Sequence, residues 1–230
     1  MKKYILLFSL LAFSILSKAN FAQISQITTT EGLSSQNVSI MEKDKYGRLW
    51  VGSSIGLDIF NNGSLTNLHT IEVEGTSILT GQIKSIACGD RTLIASKSTV
   101  IDYDYDKKEA EIIKYQGADI TTEHILMNDS CAYFYDNTKN ILFKYMMKEK
   151  ELKVVCELPE EKDFRFLKLL AIDGSEKILL LAENERGIFR LHLENGAIFN
   201  INAIGRNINA KSTFIDSDFN LWVQSEEGLN

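Results

Sequence analysis

The chain has 230 residues, with 25 Lys and Arg against 31 Asp and Glu, and 44% of its residues are hydrophobic. That hydrophobic content is ample for a packed core, and a single proline with no Ser/Gly-rich run argues against a disordered tail. The net negative charge, without a run of Arg and Lys, argues against nucleic acid and anionic lipid surfaces as partners, because both require a basic patch.

Residues 1–22 have the pattern of a secretory signal peptide. Two lysines precede an apolar run over 4–16, and a small-residue cleavage site follows at 17–19 or 20–22. The run is shorter than the roughly 20 apolar residues of a membrane-spanning helix, so cleavage is favoured over anchoring. The mature chain would carry 22 basic and 31 acidic residues, a net charge of −9, and would be exported.

The stretch from Gly32 to Gly63 reads as three short strands separated by turns. Its apolar residues alternate with polar ones, and Gly, Asn and Asp occupy the breaks between the runs, which is the pattern of a β-meander. We predict strands over 38–42, 48–53 and 57–60, turns over 44–47 and 54–56, and a hairpin at Asn61-Asn62-Gly63.

The same pattern returns near the end of the chain, over 214–229. Trp50 and Trp222 are 172 positions apart, and so are Gly56 and Gly228. One quarter of that interval is 43 residues, within the period of about 40–50 typical of four-stranded propeller blades. Degenerate copies lie at the intermediate places, 86–103, 129–145 and 169–191, the last with Gly187 in the place of Gly56.

The sequence therefore predicts an all-β fold with radially arranged blades. Residues 23–230 would form a partial β-propeller of about five four-stranded blades, the last of them incomplete. The segments 68–73, 111–115 and 152–156 lie between the copies, and each is predicted to supply a fourth strand.

The motif residues are interpreted as structural rather than functional. Trp50 and Trp222 are expected to be buried between neighbouring blades, and the aspartates to begin or cap turns. The glycines would occupy tight turns or places where a Cβ would obstruct the next blade. The full set is Asp44, Gly47, Trp50, Gly52, Gly56, Gly187, Asp216, Trp222 and Gly228.

Three cysteines, Cys88, Cys131 and Cys156, leave at least one thiol unpaired or paired with another chain. None has a Cys or His neighbour at metal-ligand spacing, and three small, mostly buried side chains are favoured over a disulfide. Export would permit one disulfide, so that alternative stays open.

No catalytic, cofactor-binding or metal-binding residue is predicted. Three histidines are widely spaced, without a partner at metal-ligand spacing. Asp102, Asp104 and Asp106 alternate on one strand face, without the Gly and Glu of a helix-loop-helix calcium site, and are interpreted as a solvated acidic edge. Nucleophile-elbow, zincin and phosphate-loop motifs are absent, so an enzyme is not expected. The three histidines are His69, His124 and His192.

Gly32-Leu33-Ser34-Ser35-Gln36-Asn37-Val38, with the motif over 44–52 and Gly56-Leu57, resembles the two-component regulator propeller repeat. The copy over 215–229 resembles it too, with Gln224 in the place of Gly52. The opening, 28–34, is similar to the first blade in periplasmic sensors of hybrid two-component histidine kinases from Bacteroidetes. The resemblance implies a larger sensor, with paired seven-bladed propellers, a β-sandwich, a membrane helix and a kinase outside these residues.

Two hypotheses of function follow. By resemblance, the chain would be a sensor module whose loops and central funnel bind a glycan-derived ligand, passing the change to a kinase. In the alternative, it is a stand-alone exported interaction or scaffold propeller with no signalling output. The partners expected are an oligosaccharide or other small ligand, and either a second copy of the chain or a continuation of the propeller. Loop tips are ligand-contact candidates by position alone: Asn61–Ser64, Asn137–Asn140 and Glu183–Arg186.

Overall fold

The computed structural model describes residues 26–158, 167–172, 178–183, 187–200, 212–216, 218, 220–225 and 228–229. The predicted signal peptide, 1–22, lies outside the described residues. Within the described ranges, no helix has the length and apolarity needed to cross a membrane. A 3-10 turn over Thr29–Glu31 is capped by Thr28, and β-strands make up nearly all the remaining regular structure.

Five successive antiparallel sheets, here called blades one to five, follow one another along the chain. In each, the order of strands across the sheet is their order in sequence, as in a meander. Blade one contains β1 (Val38–Lys43), β2 (Leu49–Ser53), β3 (Leu57–Asn61) and β4 (Ser64–Leu68), and a separate hairpin of β5 (Thr70–Val73) and β6 (Thr76–Leu79) follows it.

The other four sheets repeat this plan, with small variations. Blade two contains β7 (Ile83–Cys88), β8 (Thr92–Ser96), β9 (Val100–Asp104), β10 (Glu109–Tyr115) and a short β11 (Ala118–Asp119). Blade three contains β12 (Ile125–Met127), β13 (Cys131–Asp136), β14 (Ile141–Met146) and β15 (Glu151–Glu157). Blade four contains β16 (Leu167–Ile172), β17 (Ile178–Glu183), β18 (Gly187–His192) and β19 (Ile198–Asn200). The described strands of blade five are β20 (Ser212–Ile215), β21 (Leu221–Ser225) and β22 (Gly228–Leu229).

The first strands of consecutive blades lie beside one another, β1 by β7, β7 by β12, β12 by β16 and β16 by β20. These strands are therefore innermost, and the sheets radiate from them, so the predicted all-β propeller architecture is confirmed. The antiparallel order places the turns between second and third strands at the end of the blades where the first strands begin. The turns between first and second strands, and between third and fourth, lie at the opposite end.

The fourth strand of blade one does not lie at the segment that the sequence pattern predicts. That segment, 68–73, instead contributes β5 of the separate hairpin, whereas β4 begins at Ser64. The cause is the turn at Asn62 and Gly63, whose φ angles of +47° and +84° suit a two-residue hairpin that returns the chain at once. The other two predicted fourth strands, 111–115 and 152–156, lie within β10 and β15.

The hydrophobic core lies between the blades. One buried cluster joins blades one and two around Trp50, a second joins blades two and three around Phe134 and Phe143, and a third joins blades three and four around Tyr133 and Leu191. The hairpin contributes Ile71 and Val73 to the first cluster. Blades one to four are thus stabilised mainly by burying apolar area against their neighbours.

The three cysteines are free thiols, with Cys131 buried and the other two partly buried. Burial raises the pKa of Cys88 to about 12 and that of Cys156 to about 11. Both thiols are therefore protonated at neutral pH, which makes them poor nucleophiles.

Candidate functional site

Asp44 organises the turn between β1 and β2. Its carboxylate accepts the backbone N–H groups of Tyr46 and Arg48, each at 2.9 Å, the indole N–H of Trp50 at 2.9 Å, and the Nε–H of Arg48. Burial by itself raises the pKa of Asp44, but the hydrogen bonds from Trp50 and Arg48 outweigh it, and the pKa lies below its usual value. The carboxylate therefore stays ionised as an anchor and is not a general acid.

Two side chains held by Asp44 reach the next blade. The Trp50 ring meets the rings of Tyr103 and Tyr105 edge-on, with centroids 6.2 and 5.8 Å apart. The Arg48 guanidinium lies 4.1 Å from the Tyr105 ring centroid and 3.1 Å from Oδ1 of Asp106. The repeat motif thus fastens blade one to blade two.

Two motif glycines of blade one lie where another side chain comes close to the backbone, and a third adopts a positive φ. A Cβ on Gly52 would lie 2.6 Å from Cγ2 of Ile83, on the first strand of blade two, and 2.7 Å from Cγ2 of Ile40. A Cβ on Gly56 would lie 3.0 Å from Cδ2 of His69. Gly47 has a φ of +84° in the turn after Asp44, a conformation that suits glycine.

In blade five, Asp216 makes the same kinds of hydrogen bond that Asp44 makes in blade one. Asp216 accepts the backbone N–H groups of Asp218 and Asn220 at 3.0 and 2.9 Å, the Asn220 side-chain amide at 3.1 Å, and the indole N–H of Trp222 at 2.8 Å. Gly187 and Gly228 both begin third strands, β18 and β22, as the repeat predicts for equivalents of Gly56.

The expected burial of both tryptophans is wrong for Trp222, which is 43% exposed, whereas Trp50 is fully buried. The reason is that Trp50 is covered by Tyr103, in the third strand of the following blade, and by Tyr105, just after that strand. Among the described residues, no strand follows β22 to supply such a cover.

In blade two, an ion-pair network around Arg91 takes the place of the hydrogen bonds that Asp44 makes in blade one. Arg91 lies 43 positions after Arg48, at the same place in its blade. Its Nε–H donates to the carboxylate of Asp102, and two further N–H groups donate to the backbone oxygen of Asp102 at 3.2 Å and to Oδ2 of Asp104 at 3.3 Å. From blade three, the hydroxyl of Tyr145 donates to Oδ2 of Asp102 at 2.8 Å.

This network corrects the prediction of a solvated acidic edge. The side chain of Asp102 is fully buried and that of Asp104 is 14% exposed, because Arg91 lies against both, while Asp106 is 68% exposed. Burial first, and the Asp102 carboxylate next, raise the pKa of Tyr145. In both blades, the arginine at this position helps to fix the interface with the following blade.

The predicted loop candidates do not form one surface. Asn61–Ser64 joins third and fourth strands, whereas Asn137–Asn140 joins second and third strands, so the two lie at opposite ends of the blades. Of the third candidate, Glu183 ends β17 and residues 184–186 lie outside the described part of the chain.

Sequence reasoning missed a polar cluster on blade one. The backbone N–H and the hydroxyl of Ser34 donate to the carboxylate of fully buried Asp58, and Asn67 donates to Asp58 and to the Gly32 carbonyl. Nε2 of His69 lies 2.7 Å from Oγ of Ser34. Because the serine proton is directed at Asp58 and not at His69, this geometry ties residues 32–34 to the blade and does not activate a nucleophile.

Within the described ranges, no group of three or more His, Cys, Asp and Glu side chains is arranged to hold a metal ion.

Comparison with known proteins agrees with this geometry. The family model of the two component regulator propeller matches residues 32–54. Histidine kinase P4 of Formosa agariphila is 35% identical over 74 residues, which are 32% of this chain and 5% of that protein.

Among solved structures, the extracellular domain of a hybrid two component system from B. thetaiotaomicron superposes with a TM-score of 0.69 at 17% identity, covering 89% of this chain and 30% of that one. Virginiamycin B lyase from Staphylococcus aureus superposes with a TM-score of 0.61 at 13% identity, covering 84% of this chain and 69% of that one. These likenesses concern the fold, and the chain spans 5% of its curated relative and 30% of the Bacteroides domain. The resemblance found in the sequence is thereby confirmed: the chain carries a two component regulator propeller repeat on a β-propeller fold.

Proposed function

We propose that this chain is a ligand-sensing propeller segment of a periplasmic two-component sensor. It would recognise a glycan-derived ligand and pass the signal to a kinase outside these 230 residues. The observation that carries the proposal is the regulator propeller repeat over 32–54, on a fold shared with an extracellular domain of a hybrid two component system. The signal-peptide pattern of 1–22 supports export.

The interfaces suit a sensing role. Arg48 and Trp50 fasten blade one to blade two, and Arg91, through Asp102 and Tyr145, fastens blade two to blade three. A scaffold with such interfaces holds its loops in fixed relative positions, as a recognition surface requires.

A catalytic role for this chain is not proposed. In the cluster around Ser34, the serine hydroxyl donates to the buried Asp58 carboxylate, and Nε2 of His69 lies 2.7 Å from the same Oγ. The likeness to a lyase, at 13% identity, concerns the fold alone.

The test is to read the gene beyond codon 230. An open frame that continues through further repeats into a membrane segment and a histidine kinase is the expected result. A stop at that codon would overturn the signalling proposal and leave an exported interaction propeller completed by self-association.

Export is tested separately, by fusing residues 1–30 to alkaline phosphatase, which is active only outside the cytoplasm. Activity in whole cells is expected, and a fusion with residues 1–22 deleted is the control. An inactive full fusion would contradict the periplasmic assignment.

A further inference from the structure

The turn between β3 and β4 consists of Asn62 and Gly63, with φ angles of +47° and +84°. Both residues are exposed to solvent. Among the described residues, neither the side-chain amide of Asn62 nor the backbone N–H of Gly63 has a hydrogen-bond partner. These two neighbouring groups are therefore available to react with each other.

The chain contains a second Asn-Gly pair, Asn195 and Gly196, between β18 and β19. Here the corresponding groups are both engaged. The backbone N–H of Gly196 donates to the carbonyl oxygen of His192 at 2.9 Å, and Oδ1 of Asn195 accepts from the backbone N–H of Ala197 at 3.0 Å. The same dipeptide thus has its reactive groups unbonded at one site and hydrogen-bonded at the other.

We propose that Asn62 is a site of spontaneous deamidation, with water as the co-reactant. The backbone nitrogen of Gly63 loses its proton and attacks Cγ of Asn62. An N–Cγ bond forms and the Cγ–Nδ2 bond breaks, and the departing amide nitrogen takes up a proton and leaves as ammonia. Because Gly63 has no Cβ, no side chain of its own hinders this attack.

Water then opens the resulting cyclic imide at one of its two carbonyl groups. Opening at Cγ breaks the new N–Cγ bond and leaves an ordinary aspartate. Opening at the backbone carbonyl breaks the original peptide bond and leaves isoaspartate, in which the main chain runs through Cγ. The main chain of the isoaspartate product is therefore longer by one carbon.

The extra carbon would lie in a turn whose length sets a strand register. Asn61 and Ser64 are paired directly across this turn, at the junction of β3 and β4. Further along β4, the side-chain amide of Asn67 donates to the carboxylate of Asp58 and to the carbonyl oxygen of Gly32. Isoaspartate in the turn therefore loosens β4 from β3 and weakens its hold on residues 32–34.

Two other hairpins have the same turn with a different first residue. Glu74 and Gly75 have φ angles of +49° and +77°, and Gln116 and Gly117 have φ angles of +51° and +80°. Glutamate carries no amide to lose, and attack on the longer glutamine side chain would close a larger ring. Gln116→Asn therefore places the reactive dipeptide in a turn of matching backbone conformation.

The test is to incubate the folded 230-residue chain in mildly alkaline buffer and follow both Asn-Gly sites by tandem mass spectrometry of their peptides. Asn62 should deamidate about tenfold faster than Asn195 or more. The reason is that two hydrogen bonds must break before Asn195 reacts, which raises the barrier by at least the equivalent of a tenfold change in rate. In urea, where both turns are unfolded, the two rates should converge.

Two variants separate the chemistry from its structural effect. Gln116→Asn should create a further reactive site, with a rate close to that of Asn62. Asn62→Asp supplies the product side chain on a normal main chain, so its melting temperature should match that of the wild type. The isoaspartate form, separated from the aged wild type by chromatography, should melt at a lower temperature than Asn62→Asp.

Four results would overturn the proposal. These are that Asn195 reacts as fast as Asn62 in the folded chain, that neither reacts when folded although both react in urea, that Gln116→Asn creates no reactive site, or that the isoaspartate form melts like the wild type. The site is independent of the proposed sensing function, which the reading frame beyond codon 230 decides.

Discussion

The indole N–H of Trp50 donates a 2.9 Å hydrogen bond to Oδ2 of Asp44, and this one contact joins the turn of blade one to its interface with blade two. The carboxylate also holds Arg48, whose side chain is only 10% exposed. Removing the carboxylate would leave a guanidinium and an indole N–H without their shared acceptor.

We therefore expect Asp44→Ala to lower the free energy of unfolding by about 3–5 kcal/mol, the usual cost of leaving one partner of a buried ion pair uncompensated. Urea unfolding followed by circular dichroism measures it. Asp90→Ala is the control, since Asp90 pairs with Lys45 but its side chain is 85% exposed, and little change is expected there. Equal losses in the two variants would show that the buried contacts of Asp44 stabilise the fold no more than the exposed ion pair of Asp90 does.

Gly52→Ala should destabilise the interface between blades one and two by about 1–3 kcal/mol, as overpacking does. The new methyl group would lie 2.6 Å from Cγ2 of Ile83, so the first strand of blade two must move. Combining Gly52→Ala with Ile83→Ala should cost less than the sum of the single changes, because the second change makes room.

Gly89→Ala is the matched control for Gly52. Its Cβ would lie 3.0 Å from Cε of Met127, the far end of a flexible side chain that can move aside. Thermal unfolding should show a smaller loss than for Gly52→Ala. A loss as large in Gly89→Ala would contradict the assignment of the strain to the Gly52–Ile83 contact.

The sequence predicts those features of the fold that are local. Turn residues and two-residue alternation recur with the period that relates Trp50 to Trp222, so the positions of the blades and of most of their strands follow from the sequence alone. What alternation does not show is which blade face meets a neighbour. Alternation therefore assigns the Asp102 carboxylate to solvent, although Arg91, one period after Arg48, is a usable signal of its burial.

The Ser34–Asp58 cluster has no comparable signal. Its members lie up to 35 positions apart, between Ser34 and His69, and their spacing matches no motif. The fourth strand of blade one is misplaced by the sequence pattern because 64–68 and 68–73 both suit a strand, and only the hairpin turn at Asn62-Gly63 decides between them.

Tyr145→Phe tests the contact between blades two and three. The hydroxyl donates to Oδ2 of Asp102, whose carboxylate is fully buried, so its loss removes one donor from a buried charge. We expect the free energy of unfolding to fall by about 1–3 kcal/mol. Tyr46→Phe is the control, since Tyr46 is 60% exposed, and a comparable loss there would contradict a specific role for Tyr145.

The pH dependence of stability should depend on Asp136, a fully buried carboxylate at the turn between β13 and β14. Burial alone raises the pKa of Asp136, but hydrogen bonds from Lys139, at 2.7 Å from Nζ, and from Thr138 outweigh it, so the pKa lies below its ordinary value. The folded state binds the Asp136 carboxyl proton less readily than the unfolded state does. The contribution of the Asp136 carboxylate to the free energy of unfolding is therefore fully present above the unfolded pKa of about 3.9.

That contribution is lost as the pH falls through the lowered pKa of folded Asp136. Between pH 6 and pH 3, the wild type should therefore lose more stability than Asp136→Asn, whose amide does not titrate. Chemical unfolding at fixed pH values gives the two curves, and Asp90→Asn controls for removal of a surface charge. Parallel curves for the wild type and Asp136→Asn would show that the Asp136–Lys139 contact contributes nothing that protonation removes, and that acid sensitivity originates at other carboxylates.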